Sequence, residues 1–199
     1  MKMEKQNFTK LKTPLSKEVV KKLKVGDLVK ISGTIITARD MAHKYLLKKE
    51  IKKLKLNNGI IYHCGPIAKK NKKWKIIVAG PTTSIREEPY EADIIRKYNV
   101  KAIIGKGGMG DKTLKAMKKY GCVYISVVGG AAAFLASKII KVKNVYMLKE
   151  FGIPEALWEL EVKDLPGIVT MDSHGKSLHK NILKNSEKQY KKLKWKNQK

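Results

Sequence analysis

Short apolar runs, glycine turns and segments of helical spacing make up most of this chain. The apolar runs predict strands at residues 28–36, 60–62, 74–79, 100–104 and 123–128. The last two runs each lead into a glycine turn and then into a predicted helix, at residues 114–120 and in the alanine-rich stretch 131–136. Strand, glycine turn and helix in succession are typical of an α/β domain with a parallel core.

The first strand and the helix after it contain the first candidate positions. Gly33 interrupts the strand, which predicts a bulge or a close approach of another backbone segment. We expect the helix to be capped by Thr37, to have Asp40 at its third position and to run through Leu54. Arg39 then falls in the first turn, where a cation opposes the helix dipole, so a function for Arg39 is expected.

The remaining segments extend this core at both ends. A short basic helix is predicted at residues 15–23, and later strands are predicted at residues 144–147, 157–162 and 167–171, which indicate a second sheet. The chain is expected to divide into a basic N-terminal segment with a short helix (1–24), one domain (25–184) and a basic C-terminal tail (185–199). The tail is interpreted as a fraying helix or a docking tail.

The stretch Gly80 to Arg86 joins one strand to the next predicted helix. Thr82, Thr83 and Ser84 have hydroxyl groups suited to capping that helix. Together with free backbone N–H groups and the guanidinium of Arg86, they could also hold a carboxylate or a phosphate. Local features leave both an ordinary capped helix and an anion site open.

Composition and charge limit the classes of partner. The chain has 199 residues and 43% apolar content, which is enough for one domain with a sizeable core. Its formal net charge is +27, from 44 Lys+Arg against 17 Asp+Glu. Such a field attracts anions in general, so nucleic acid, an acidic protein and a small dicarboxylate are all compatible with it.

The cysteine and histidine pattern does not predict a metal centre within this chain. Cys64 and Cys122 cannot form a disulfide framework, and the four histidines show no close-set spacing. Two reduced thiols and a polar, lysine-rich N-terminus predict a cytoplasmic protein. The uncharged residues 121–137 are interpreted as a buried strand turning into a buried helix rather than as a membrane span.

The glycine loop at residues 105–110 resembles two nucleotide or nucleic-acid motifs. It nearly matches a P-loop, but Asp111 stands where that motif needs its phosphate-binding lysine. Gly105-Lys106-Gly107-Gly108 also resembles the Gly-x-x-Gly loop of KH domains, which would suit a basic nucleic-acid-binding module. A KH loop joins two helices, however, and residues 100–104 are predicted to be a strand. A binding module of this kind remains the alternative from a different functional class.

Five ordered blocks of sequence resemble class I fumarate hydratase, in its β subunit or C-terminal half. The blocks cover residues 32–43 (SGTIITARDMAH), 80–86 (GPTTSIR), 104–109 (IGKGGM), 128–133 (VGGAAA) and 169–175 (VTMDSHG). Their order and spread over about residues 25–180 favour the anion site over the capped helix at Gly80. The related L(+)-tartrate dehydratase β subunits share these blocks, so tartrate is the alternative substrate.

The resemblance implies a swivelling β/β/α three-layer domain that acts with a separate α subunit. In that family the α subunit binds a 4Fe-4S cluster, and this chain, with two cysteines, is expected to bind none alone. The implied complex is a heterotetramer or a larger assembly acting on a small dicarboxylate, with no membrane and no specific nucleic acid as partner.

The resemblance also implies roles for individual residues. Thr82 would be the base that moves the carbon-bound proton of malate, and Arg39, Arg86 and Lys106 would bind the substrate carboxylates. These residue types fit a reaction that needs a proton acceptor and cations beside an enolate-like charge. Five further residues are candidates for orienting the site or its interface, namely Asp40, His43, Thr83, Asp172 and His174. Capping or turn formation is the alternative for Asp40, His43, Asp172 and His174.

Overall fold

The computed structural model describes residues 7–196, and side chains as far as residue 193. Residues 1–6 and 197–199, at the ends of the predicted N-terminal segment and tail, lie outside the described residues. The strands are β1 Thr9–Lys12, β2 Leu28–Thr37, β3 Ile60–Tyr62, β4 Ile67–Asn71, β5 Lys73–Val78, β6 Ala102–Gly105, β7 Val123–Ser126, β8 Ile139–Tyr146 and β9 Leu157–Met171. The helices are α1 Lys17–Lys22, α2 Asp40–Lys48, α3 Glu88–Tyr98, α4 Asp111–Tyr120, α5 Ala132–Ser137, α6 Leu148–Phe151 and α7 Leu178–Lys196, with a 3-10 turn at Ser84–Glu87.

The main sheet has seven strands in the order β1, β2, β3, β6, β7, β9, β8. Its first five strands run parallel to one another, which confirms the predicted α/β domain with a parallel core. β9 is antiparallel and pairs with β2, β7 and β8. Ile168 of β9 pairs with Leu28 on one side and with Ser126 on the other. Strands β2, β3, β6, β7 and β9 therefore form a closed ring.

Two hydrophobic cores lie on opposite faces of the parallel strands. Because side chains alternate along a strand, Ile103 and Ile104 of β6 point into different cores. Helices α2, α3 and α4 cover the core that contains Ile103. Strands β5, β8 and β9 and helix α5 cover the core that contains Ile104, with the fully buried Trp158 at its centre. Helices therefore cover one face, and mostly antiparallel strands cover the other.

The prediction of a second sheet was wrong in its location. The segments predicted to form that sheet instead join the main sheet as β8 and β9. The separate sheet is the hairpin of β4 and β5, which includes the basic residues 69–73. Ala68 and Trp74 pack against the core, whereas the lysines between them lie outside it. One buried side of this hairpin is enough to stabilise it. The apolar pattern of that side is hard to recognise in the sequence because lysines surround it.

A bulge makes β9 one continuous strand instead of the two that were predicted. Asp164 adopts a positive φ of 52°, and its N–H donates to the Ser32 hydroxyl over 3.0 Å. The paired register of β2 and β9 shifts between Ile31 and Gly33. Gly33 has a φ of 104° and lies directly against Thr13. Both the bulge and the close approach predicted at Gly33 are therefore confirmed.

The start and end predicted for α2 were wrong, because the helix begins at Asp40 and ends at Lys48. Thr37 is the last residue of β2 and does not cap the helix. Its hydroxyl donates to the Ala156 carbonyl over 3.4 Å and accepts from the Trp158 N–H over 3.0 Å. Arg39 is the N-cap, in an extended conformation, and Asp40 is the first helical residue. The Thr37 hydroxyl does not cap the helix, because it is the acceptor for the buried N–H of Trp158 in β9.

The uncharged residues 121–137 form the buried strand β7 and the helix α5, as predicted, but α5 is only partly buried, with Phe134 exposed. Within residues 7–196, no helix combines the length and the apolar character that crossing a membrane requires.

Replacing Thr37 by valine should lower the free energy of unfolding by about 1–3 kcal/mol, because the buried N–H of Trp158 loses its acceptor. Urea unfolding of wild type and variant measures this difference. Thr9→Val is the matched control: Thr9 is an exposed strand residue, and its change should stay within about 0.5 kcal/mol. Equal effects of the two substitutions would contradict a structural role for the Thr37 hydroxyl.

Candidate active site

Four parallel strands end at the same edge of the sheet, and the segments that follow them meet there. Arg39 follows β2, His63 follows β3, Lys106 follows β6 and Gly129 follows β7. In parallel α/β sheets, ligands bind at the carboxyl ends of the strands. We call this place the carboxyl edge.

The stretch Gly80 to Arg86 lies across the carboxyl edge. The Thr82 N–H donates to the His63 carbonyl over 2.8 Å, and the Ser84 N–H donates to the Lys106 carbonyl over 3.0 Å. Thr83 also forms a bridge with Lys106. These backbone bonds fix Thr82 between the ends of β3 and β6, which explains why a short segment rich in hydroxyl groups has one defined path here.

Three cationic side chains belong to the carboxyl edge. Arg39 lies against Gly65, where a Cβ atom would collide with it, and its Nε is 3.2 Å from a carboxylate oxygen of Glu155. Arg86 donates to the Asp40 carboxylate over 2.7 Å. Lys106 is exposed, and no described carboxylate pairs with it. The edge therefore offers one free ammonium and two guanidinium groups held by neighbouring carboxylates.

The hydroxyl groups of this stretch do not cap a helix, so that part of the prediction was wrong. A 3-10 turn separates them from α3, and Thr83, at the start of the turn, makes no side-chain capping bond. Ser84 is fully buried, and its hydroxyl accepts from the Tyr124 hydroxyl over 2.8 Å. Thr82 is half-buried at the surface of the edge.

A buried network of His43, His63 and Glu91 lies beneath the carboxyl edge, and none of the three side chains is exposed. One carboxylate oxygen of Glu91 is 2.9 Å from Nε2 of His43 and 2.9 Å from Nε2 of His63. Nδ1 of His43 is 2.9 Å from the Arg39 carbonyl oxygen. Nδ1 of His63 is 2.9 Å from the Ser84 hydroxyl. The network thus connects α2, β3, α3 and the Gly80 stretch.

The surroundings of the two histidines make one of them positively charged and leave the other neutral. Burial by itself lowers the pKa of His43, but Glu91 and Glu87 overcome this effect and raise its pKa to about 9. Burial, together with the neighbouring charge of His43, lowers the pKa of His63 despite the opposing effect of Glu91. Burial favours a neutral Glu91, yet the two imidazoles lower its pKa to about 2. At neutral pH a charged His43 and a charged Glu91 therefore stand beside a neutral His63.

These charges determine the direction of each hydrogen bond. The imidazolium of His43 donates from both nitrogens, to the Arg39 carbonyl and to Glu91. His63 donates to Glu91 from Nε2, so its Nδ1 accepts from the Ser84 hydroxyl. Glu87 lies 3.4 Å from Nδ1 of His43, and burial raises the pKa of Glu87 to about 7.

His43, His63 and Glu91 are also the one group among residues 7–196 that could offer three closely spaced metal-ligand atoms. Their contacts of 2.9 Å have the length of hydrogen bonds. Both imidazoles already use Nε2 to donate to the same oxygen. The arrangement is therefore that of a hydrogen-bonded network.

The structure brings most of the predicted site residues together. Thr82, Thr83, Arg39, Arg86, Lys106 and Asp40 lie at the carboxyl edge, and His43 lies directly beneath it. Asp172 and His174 lie at the opposite edge, where β2 and β7 begin. The Asp172 carboxylate accepts from the backbone N–H groups of Val25, His174 and Lys176, and the His174 ring contacts the Lys21 carbonyl.

Three features of the buried network were not predicted from the sequence, namely Glu91, Ser84 as a buried hydrogen-bonding group, and the contact of His43 with His63. One signal was present in the sequence, since His63 directly follows a predicted strand. Glu91 gave no such signal, because a glutamate in a predicted helix is usually exposed to solvent.

Comparison with known proteins gives concordant matches. The family model described as Fumarase C-terminus matches residues 1–182. A protein provisionally named fumarate hydratase class I, from Geobacillus stearothermophilus, is 53% identical over 178 residues, which are 88% of this chain and 34% of that protein. A protein provisionally named L(+)-tartrate dehydratase subunit beta, from Methanocaldococcus jannaschii, is 50% identical over 185 residues, 90% of this chain and 93% of that one.

The L(+)-tartrate dehydratase subunit beta of Escherichia coli K12 is 38% identical over 172 residues, 84% of this chain and 85% of that one. The chain thus spans about a third of the first relative and most of the other two.

Nitrogen-15 NMR at pH 7 should show His43 protonated on both ring nitrogens and His63 neutral with its proton on Nε2. The folded pKa of His43 lies above the unfolded value of about 6.5, so its stabilising contribution is present below pH 6.5 and is lost as the pH rises through about 9. His43→Gln assigns the two ring signals. A neutral His43, or a His63 protonated on Nδ1 alone, would contradict this assignment of charges.

Proposed function

Because this chain belongs to the Fumarase C-terminus family, we propose that it is the β subunit of a two-subunit hydro-lyase that interconverts fumarate and (S)-malate. Relatives named as class I fumarate hydratase and as tartrate dehydratase β subunits support this class of reaction. The observation that carries the proposal is the convergence of Thr82, Arg39, Arg86 and Lys106 at the carboxyl edge.

A dicarboxylate fits the charges of this edge. The guanidinium groups of Arg39 and Arg86 have five donors each, so each can bind a substrate carboxylate while keeping its contact with Glu155 or Asp40. Lys106, which follows Gly105 and precedes Gly107, adds a mobile point charge. Together the three cations would bind both ends of the substrate and stabilise the negative charge that develops on the carboxylate next to the reacting carbon.

Thr82 is the proposed proton acceptor. In the dehydration direction, the electron pair of the C–H bond at C3 moves onto the adjacent carboxylate as Thr82 accepts the proton. That pair then forms the double bond as the C–O bond at C2 breaks. The departing hydroxide takes up a proton from solvent to form water, and Thr82 returns its proton to solvent before the next turnover. A threonine hydroxyl is a weak base, so the proposal requires the nearby cations to stabilise its deprotonated form. The backbone bond of Thr82 to His63 would hold the hydroxyl in position.

The cysteines of this chain do not fit the 4Fe-4S cluster that the family resemblance implies. Cys64 lies in one core and Cys122 in the other, and both are fully buried. Burial raises the pKa of Cys64 to about 12 and also raises the pKa of Cys122. The cluster is therefore assigned to an α subunit, in a heterotetramer or a larger cytoplasmic assembly. The two cores support a swivelling β/β/α domain for this chain.

Tartrate is the second candidate substrate. It differs from malate by one additional hydroxyl group, and the two relatives that this chain covers almost completely are named as tartrate dehydratase subunits. The nucleic-acid alternative has less support, because the loop 105–110 follows strand β6 and precedes helix α4. A KH loop would join two helices.

The isolated chain should fold and show no turnover, whereas the complex with its α subunit, reconstituted without oxygen, should convert malate and fumarate. The reason is that half of the proposed site lies on the partner. Assays on malate, fumarate and tartrate under the same conditions measure the substrate preference. Turnover by the isolated chain, or an assembled complex inactive on all three acids, would contradict the proposal.

Arg86→Lys should lower kcat/KM of the complex by about tenfold or more while leaving the circular dichroism unchanged, because an ammonium group cannot grip a carboxylate at two points. Arg96→Lys is the matched control, since Arg96 is an exposed arginine on α3 paired with Asp93. Activity of Arg86→Lys equal to that of the control would remove Arg86 from the substrate site.

A further inference from the structure

We infer that Glu91 is a positioning residue whose single carboxylate oxygen holds the two flanks of the carboxyl edge in register. The inference deepens the proposed function and rests on it, because the groups that Glu91 holds in place are the proposed substrate-binding groups. Glu91 itself is fully buried and does not reach the edge.

The first arm of the network runs from Glu91 to Arg39. Glu91 binds Nε2 of His43, and Nδ1 of the same ring donates to the Arg39 carbonyl. The His43 backbone N–H donates to that carbonyl as well, over 2.9 Å. Arg39 is the N-cap of α2 and has no side-chain capping bond. The imidazolium therefore secures the backbone from which the Arg39 side chain projects.

The second arm runs from Glu91 to Thr82 and Lys106. Glu91 binds Nε2 of His63, whose carbonyl accepts the Thr82 N–H. Nδ1 of His63 accepts from the Ser84 hydroxyl, and the Ser84 N–H donates to the Lys106 carbonyl. The orientation of one imidazole thus sets the backbone positions of the proposed proton acceptor and of the proposed free ammonium.

Both arms converge on the same oxygen of Glu91, and this convergence couples them. The other carboxylate oxygen, Oε1, has no hydrogen-bond partner among the described residues. The two rings meet edge to face, with centroids 5.2 Å apart. Because no side chain of the network is exposed, water cannot replace a lost bond. A shift of Glu91 therefore displaces both flanks together.

The arrangement of Glu91, His63 and Ser84 resembles the carboxylate, imidazole and hydroxyl of a nucleophilic triad, but its geometry serves positioning. Ser84 is fully buried, and its oxygen lies against Gly105 and already accepts from Tyr124. No substrate carbonyl can reach it. Substrate would meet the ends of the two arms at the edge.

The test uses Glu91→Gln and Glu91→Asp in the reconstituted complex. Glutamine keeps the size and loses the charge, so its carbonyl oxygen accepts from both imidazoles more weakly and the His43 imidazolium loses its charged partner. Aspartate keeps the charge and is too short to reach both rings. If Glu91 acts by position, both variants should lose about 100-fold in kcat/KM, with a raised KM as well as a lowered kcat. Wild-type KM in Glu91→Asp would mean that Glu91 supplies only charge and would overturn the inference.

A matched control is Glu159→Gln. Glu159 is a largely buried carboxylate that accepts from Asn144 and Tyr146 and contacts neither arm. It should lose stability without a change in KM. A KM change equal to that of the Glu91 variants would mean that loss of stability alone explains their raised KM. That result would overturn the positioning role of Glu91.

A readout on the isolated chain separates this inference from the proposed function. In Glu91→Gln, backbone amide signals should shift on both flanks, near Arg39 and near Thr82, and the His63 ring signals should change. Unchanged amide signals on either flank overturn the positioning role whatever the activity. If the amide signals shift but the wild-type complex turns over no dicarboxylate, only the proposed function fails. Should Glu91→Gln not fold, Ser84→Ala cuts the second arm alone, and unchanged signals at Thr82 and Lys106 would overturn the inference.

Discussion

The pairing of β9 with β2 and β7 is the interaction on which the rest of the structure depends. One strand of 15 residues closes the ring of parallel strands and also carries β8. Closure separates the interior into two cores that are buried independently. It also fixes the direction in which the parallel strands end, so the segments that follow β2, β3, β6 and β7 have no alternative place to meet. The carboxyl edge is a consequence of this closure.

Much of the fold could be predicted from the sequence because its signals were local. Continuous apolar runs identified β2, β3, β6 and β7 but not the short parallel strand β1, and the glycine turns identified the change from strand to helix. The errors arose where a distant partner decided the structure. Thr37 has the chemistry of a helix cap, but the Trp158 N–H, 121 residues away, takes its hydroxyl. Lysines hid the hairpin of β4 and β5, whose stability comes from one packed side.

The surface of the candidate site was more predictable than the network beneath it. Arg39, Thr82, Arg86 and Lys106 stand in blocks whose order resembles a known family, and the structure brings all four to one edge. Glu91 has no such block around it, and its burial follows from the packing of α3 against α2 and α4. The burial of Glu91 could be predicted only together with its partners His43 and His63, which come from an earlier helix and from the end of an earlier strand.

Burial of both thiols has a consequence for how the proposed complex ages. Cys64 and Cys122 carry little thiolate, because burial raises the pKa of each, and thiolate is the form that oxidants attack. In the proposed complex, oxidation would therefore fall on the cluster-bearing partner rather than on the thiols of this chain. Repair would require renewal of only one of the two polypeptides, with the undamaged β subunit serving again. Division of the proposed enzyme into two chains would thus separate the oxidation-sensitive subunit from the oxidation-resistant one.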